Sequence, residues 1–218
     1  ASVFQTDRKE MEVLIMGKMT ICVYGAASNK IDSIFITETE KLGEEIARRH
    51  HQIIYGGGAS GVMGACARGA AREGGTVIGV VPNFMDEFEI INNDCSEIIR
   101  TETMSERKDV MEGRADAFII APGGIGTFDE FFQILTLVEL GRKNAPIVIY
   151  NIDGYYDDMI VYMKQCTEKG FIRERALTLF RVCTTAKEAI DAIEDMKTHS
   201  NSCLICFFSF LAFFFHLL

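Results

Sequence analysis

Basic charge is scarce in this chain: 22 Lys and Arg stand against 31 Asp and Glu, for a formal net charge of -9. A protein that coats nucleic acid needs a basic face, so nucleic acid is not expected as a partner and any phosphate ligand has to be small and locally held. Metal-ligand patterns are missing as well. Cys203 and Cys206 have C-x-x-C spacing, but no second ligand pair and no strand-to-helix context accompany them, so no metal and no redox centre is expected. The other cysteines, Cys22, Cys66, Cys95, Cys166 and Cys183, are scattered through apolar segments. With an odd total, that is the pattern of reduced thiols in a cytoplasmic protein. No G-K-[S/T] follows any glycine-rich stretch, which removes a P-loop. The run Gly56-Gly-Gly-Ala-Ser-Gly61 fits G-x-G-x-x-G, yet the next apolar run ends Val80-Val-Pro82 where a ribose-binding acid should stand. A dinucleotide is therefore not expected, and no other cofactor is indicated.

Long apolar runs are confined to one end. From Cys203 to Leu218 the only side chain able to carry charge near neutrality is His216. Sixteen helical residues reach only about 24 Å, short of the roughly 30 Å hydrocarbon core, so no membrane span is expected. An anchor, a docked segment and a frame-shifted artefact remain open for this tail, the last being preferred. The mixed, charged residues 1–18 are likewise expected to lie outside the fold, with Met19 as a plausible native start.

What is present between these ends is regular. The chain has 218 residues, 48% of them hydrophobic, enough for one sizeable core, and no internal repeat or low-complexity linker divides residues 19–197. Short β-rich runs at 19–24, 52–55, 76–81, 97–100, 117–121, 146–150 and 180–183 alternate with helical periods at 31–49, 65–73, 103–113, 127–140, 155–169 and 185–197, the second of these following a glycine loop over 56–64. That alternation predicts an α/β, Rossmann-like, doubly wound and mostly parallel sheet with helices on both faces. Residues 83–96 show no period and are expected to form a functional or mobile loop. The domain organisation expected is an N-terminal extension over 1–18, one domain over 19–197 and a hydrophobic tail over 198–218.

One stretch combines two chemistries. Ala121-Pro-Gly-Gly-Ile-Gly-Thr-Phe-Asp-Glu130 places three glycines before an apolar helix that opens with two acids. Glycines ahead of a helix N-terminus expose backbone N–H groups and a partial positive charge, which suits a phosphate. Thr127-Phe-Asp-Glu130 also reads as a capping box, with Thr127 as N-cap and Glu130 reaching back to its N–H. A Glu130 so engaged is not free to face a ligand, and the residues alone leave both readings open.

Pro122-Gly-Gly-Ile-Gly-Thr-Phe-Asp-Glu130 resembles the P-G-G-x-G-T-x-x-E motif of the Lonely Guy family, the cytokinin-activating phosphoribohydrolases. Arg107-Lys108 matches the R-K pair upstream of it. Tyr55-Gly-Gly-Gly58 with Gly61-x-Met-Gly64, and Asn151-Ile-Asp-Gly-Tyr-Tyr156, carry the resemblance over residues 19–197. It implies hydrolysis of the N-glycosidic bond of a purine or cytokinin nucleoside 5′-monophosphate, giving free base and ribose 5-phosphate without a cofactor. Arg107 and Glu130 are the implied catalytic pair. Implied substrate contacts are Glu89, Lys108, Gly124, Ile125, Gly126, Thr127, Phe128, Asp129 and Thr136, although Thr136 is not on the same helical face as Glu130. Two departures, Ser105 where many members have His and Gly25-Ala-Ala-Ser28 where Gly-Ser-Ser is common, bear on base preference more than on chemistry.

The chemistry is reasonable for these residue types. Cleaving a ribosyl C–N bond builds positive charge on the sugar, which a fixed carboxylate stabilises, while an Arg offsets negative charge on the phosphate or departing base. Two other readings share the glycine loops: a non-catalytic nucleotide or molybdopterin carrier, which does not require the Arg107 and Glu130 pair, and a pyridoxal-phosphate decarboxylase, for which Lys108 is the only candidate Schiff-base lysine beside a motif. The helix over 127–140 is apolar almost all round, so a second copy of the chain is expected to cover its outer side and make a homodimer.

Overall fold

The computed structural model describes residues 17–88 and 90–199. Seven strands form one wholly parallel sheet: β1 (Thr20–Tyr24), β2 (Gln52–Tyr55), β3 (Val77–Pro82), β4 (Glu97–Thr101), β5 (Ala117–Ile120), β6 (Ile147–Tyr150) and β7 (Arg181–Cys183), in the order β4-β3-β2-β1-β5-β6-β7. Sequences such as TICVY, AFII and IVIY are buried along their whole length, as strands covered on both faces must be. The two edge strands, EIIRT and RVC, carry the exposed and charged positions.

Helices cover both faces. On one lie α1 (Ser33–Arg48), α2 (Gly61–Arg72) and α6 (residues 186–199), around a core that includes Ile21, Val23, Leu42, Ile46, Cys66 and Ile190. On the other lie α3 (Met104–Arg114), α4 (Ile125–Glu139) and α5 (Asp157–Glu168), around Cys22, Tyr24, Met111, Phe118, Phe131, Ile134 and Met163. The doubly wound architecture expected from the sequence is thus the observed one. No helix among the described residues is long and apolar enough to cross a membrane, and residues 1–16 and 200–218, with the Cys203 and Cys206 pair, lie outside the description.

Several boundaries differ from the sequence reading. Pro82 does not stop β3 short but ends it, opposite Thr101, at the one place where a missing N–H leaves the ladder intact. The aperiodic 83–96 segment contains a 3-10 turn, Asn83–Glu87, and touches the first glycine loop through a bridge between Gly58 and Ile91. The consequential shift is in α4. It starts at Ile125 with Gly124 as N-cap, so Thr127 is the third helical residue and Glu130 stands in the second turn. The capping box expected there does not form, because the Gly123-Gly124 pair lets the chain enter the helix three residues earlier than a Thr127 N-cap would. The Thr-x-x-Glu device is used one helix earlier: Thr103 Oγ1 accepts from Glu106 N at 3.1 Å, and Glu106 Oε2 accepts from Glu102 N at 2.8 Å.

Candidate functional site

Strand order reverses between β1 and β5, so the loops leaving their C-terminal ends diverge and open a crevice, the usual ligand position in such sheets. The two loops are tied at its base by Ala26 N donating to Pro122 O at 3.0 Å. Above this junction lies a cavity of ≈ 330 Å³. One wall is Gly25 to Ser28 after β1, another is Gly124, Gly126 and Thr127 at the start of α4, and Arg107 and Glu130 close the inner end. Met63, Met85 and Met104 add adaptable apolar surface to its lining.

The glycine loop is held from behind. Tyr155 and Tyr156 donate their hydroxyls to Gly123 O and Ala121 O, each at 2.7 Å. Asn151 places both tyrosines by accepting from Tyr156 N and donating to Asp157, again at 2.7 Å each. The Asn151-Ile-Asp-Gly-Tyr-Tyr156 motif is therefore a clamp on the glycine loop, which its sequence did not disclose. The first-turn N–H groups of Ile125, Gly126 and Thr127 precede any intrahelical acceptor and point toward the cavity end of α4, adding the positive end of its dipole.

Arg107 and Glu130 are both buried, at 5% and 8% exposure, and meet at 3.3 Å between Nη1 and Oε1. Arg107 also donates Nε to Val80 O at 3.2 Å, which fixes the plane of the guanidinium. Its tip lies where a side chain at position 56 would start, since a Cβ on Gly56 would collide with Nη2. Glycine at that loop position makes room for the arginine. Burial pushes the Glu130 carboxyl up to about 7; Asp129 and Glu112 add to this and Arg107 and Lys108 oppose it. A carboxyl balanced near neutrality in a cleft has the character of a reacting group.

The other residues singled out in the sequence separate into groups. Gly124, Gly126 and Thr127 line the cavity. Ile125 points out at 88% exposure and contributes only its backbone. Lys108 is ion-paired with Asp129 at 2.9 Å, alongside the Arg107 pair and outside the cavity lining. Phe128 turns into the core against Tyr156. Thr136 is exposed, two turns down α4, with its hydroxyl bonded to Phe132 O at 2.7 Å. Glu89 lies outside the described residues. Met63, Met85 and Met104, which the sequence reading did not select, come from three separate segments, and no spacing could have joined them.

A larger open groove of ≈ 690 Å³ runs along β7 and α6, but Glu188, Asp191 and Asp195 line it and its one arginine, Arg181, is paired with Asp195 at 2.6 Å. It has no means to hold an anion. Among the described residues no cluster of His, Cys, Asp and Glu is arranged to hold a metal.

Known proteins place these features in context. The family described as possible lysine decarboxylase matches residues 63–193. A Mycobacterium tuberculosis protein named cytokinin riboside 5′-monophosphate phosphoribohydrolase is 36% identical over 178 residues, spanning 82% of this chain and 95% of that protein. The Arabidopsis thaliana protein of the same name, LOG4, is 33% identical over 175 residues, spanning 80% of this chain and 81% of that one. Among solved structures, the molybdenum cofactor carrier protein of Chlamydomonas reinhardtii superposes with a TM-score of 0.65 at 22% identity, covering 83% of this chain and 98% of that chain. The molybdenum cofactor binding protein of Rippkaea orientalis gives 0.64 at 19% identity, again over 83% and 98%. At such identities the structural likeness is one of fold.

Proposed function

This chain belongs to the Lonely Guy family of phosphoribohydrolases, and from that premise we propose that it hydrolyses the N-glycosidic bond of a purine or cytokinin nucleoside 5′-monophosphate to free base and ribose 5-phosphate. The observation that carries the residue assignment is the buried Arg107–Glu130 pair facing the same cavity as the N-terminus of α4. The phosphate sits on the N–H groups of Gly124, Ile125, Gly126 and Thr127, which satisfies donors the helix itself cannot. Glu130, ionised, lies beside the anomeric carbon, where its charge favours the oxocarbenium-like transition state and orients the attacking water. Arg107 offsets negative charge on the phosphate or departing base through its planar fork. Desolvation at the inner end of the cavity strengthens both effects.

A carrier on this scaffold would need the loops but not a buried acid with a carboxyl raised to about 7. A pyridoxal phosphate enzyme would need a lysine in the cavity. None of its lining residues is lysine, and Lys108 is engaged by Asp129 outside it, so these residues do not fit that cofactor. The active unit is residues 19–197, in a reducing, cytoplasmic setting that the free thiols of Cys22, Cys66, Cys95, Cys166 and Cys183 suit. It works as a homodimer: α4 leaves Phe132 and Leu140 exposed at 41% and 62%, and a second copy would cover them. Light scattering that shows only monomer at micromolar protein would count against the dimer.

The decisive test incubates purified protein with AMP and with N6-isopentenyl-AMP and separates the products by chromatography. Free base and ribose 5-phosphate are expected from at least one of them. Tight binding of both without base release would favour the carrier instead.

A further inference from the structure

Tyr24 ends β1, immediately before the cavity-lining Gly25, and its ring is 1% exposed, stacked on Phe118 with centroids 6.1 Å apart. Its hydroxyl is the one buried side-chain oxygen or nitrogen, among the described residues, that has no hydrogen-bond partner. Leaving a buried hydroxyl unpaired is costly, and phenylalanine would fill the same space without that penalty. The surroundings of the hydroxyl suggest what it is for. Its ionisable neighbours are Cys22, two residues back on the same face of β1, and the carboxyls of Glu130 and Glu112 from the helices above. Among the described residues the Cys22 thiol is the one polar group close enough to interact with the hydroxyl, but sulfur is a weak acceptor, burial keeps the thiol protonated, and the contact falls short of a hydrogen bond in geometry. Burial also holds the phenol protonated, so Tyr24 can donate a hydrogen bond but cannot serve as a base.

Glu130 has use for such a donor. In the structure it receives one long hydrogen bond, 3.3 Å from Arg107, whose guanidinium is also committed to Val80 O. The groups that face the carboxyl are Arg107, Lys108 and Glu112 from α3, Asp129 on its own helix, and Tyr24 and Cys22 from β1. Of these only Arg107 bonds to it directly, and a nucleotide in the cavity competes for that same arginine. We propose that Tyr24 is a positioning residue for Glu130, its phenolic O–H donating to the carboxylate from the core side of α4 and holding the charge toward the anomeric carbon. The bond forms when Glu130 ionises, which is when a carboxylate accepts most strongly.

The proposal deepens the role given to Glu130 above and rests on it for its catalytic meaning, while the contact itself can be tested without turnover. Tyr24→Phe removes only the oxygen and leaves the ring stacked on Phe118, so the variant folds. Its melting temperature is expected to equal or exceed that of the unaltered protein. Because Tyr24 favours the ionised carboxylate, its loss should raise the Glu130 carboxyl by about one unit, read by carbon-13 NMR of labelled glutamate against pH with Glu130→Gln as the assignment control. The acidic limb of kcat should move up by the same amount, and kcat at neutral pH should fall roughly ten-fold with KM little changed. A Tyr24→Phe protein that is more stable, titrates Glu130 unchanged and keeps both kcat and its pH limb would overturn the proposal. If the unaltered protein releases no base from either nucleotide, the hydrolase reading fails, and the NMR comparison still decides the contact.

Discussion

The two helix pairs that flank the sheet are assembled on opposite plans. Between α1 and α2 the closest contacts are backbone on backbone: Gly43 lies against the Cys66 carbonyl and Gly69 against the Glu40 carbonyl, with no side chain between them at either point. Charge is kept at the wet rim of that seam, in Arg68–Glu40 at 3.2 Å, Arg72–Glu44 at 2.7 Å and Arg48–Glu73 at 2.7 Å. Between α3 and α4 the plan is inverted. Arg107–Glu130 at 3.3 Å and Gln133–Glu112 at 2.7 Å are rungs inside the seam, with Lys108–Asp129 at 2.9 Å beside them. Both Glu130 and Glu112 have carboxyls raised chiefly by burial. Buried carboxyls destabilise a fold unless they are partnered, whereas close backbone contact and surface ion pairs do not carry that penalty. One seam is close backbone contact, and the other encloses polar groups at a cost in stability, which is what the proposed reaction asks of it.

The sharpest test of this contrast is Glu130→Gln. The amide keeps size and hydrogen bonding but removes the charge, so turnover should fall by roughly 10²-fold or more with nucleotide affinity little changed and the fold intact. Base-release kinetics together with thermal unfolding read both halves. Arg107→Ala should abolish turnover as well and weaken binding, because the group on the nucleotide that the guanidinium would meet is left unpaired. An active but merely destabilised Glu130 variant would show that the polar seam is structural after all.

Next in size is Gly69→Ala in the opposite seam, where the new methyl would meet the Glu40 backbone. It should destabilise by on the order of 3 kcal/mol, measured by denaturant unfolding, while kcat at permissive temperature stays near normal. A selective loss of kcat without loss of stability would break the division of labour.

The pH dependence of stability gives a third, smaller effect. Because the Glu130 carboxyl in the fold is raised from an ordinary carboxylate value to about 7, the folded state holds a proton between pH 4.5 and 7 that the unfolded state has lost. Stability should therefore fall as pH rises through that window, by on the order of 2 kcal/mol, and stay low above it. Glu130→Gln should flatten this slope, as thermal melts at pH 5 and pH 8 can show. The smallest effect expected is that of Arg72→Ala on the rim. That side chain is 55% exposed, and unfolding measurements should find a change of about 0.5 kcal/mol or less.

Much of the fold was legible along the chain because its signals are local. Runs such as QIIY and IVIY, interrupted by helical periods, announce a parallel sheet covered on both sides, and the family resemblance carried by four ordered motifs implied that Arg107 and Glu130 act as a pair before any distance was known. The ambiguity at Glu130 was not local. Thr127-Phe-Asp-Glu130 satisfies a capping box as written, and only the early entry at Gly124 moves Glu130 into the second turn and onto Arg107. Thr103-Met-Ser-Glu106 carries the same pattern and does cap its helix. Identical spacing had two outcomes because the preceding residues, not the pattern, set where each helix begins.

The sequence by itself determined the element order, the glycine-rich entry to α4 at Gly123-Gly124 and the residue types available for chemistry, since these follow from backbone freedom and periodicity within a few residues. Tertiary structure alone decided that Arg107 would slide over Gly56 to reach Glu130, that Tyr155 and Tyr156 would clamp the Ala121–Gly123 backbone, and that the Tyr24 hydroxyl would be buried without a geometric hydrogen bond. Each of these joins segments 20 or more residues apart, and the raised Glu130 carboxyl follows from the desolvation they produce together. Burial is a property of the assembled layers, and no stretch of chain encodes it alone.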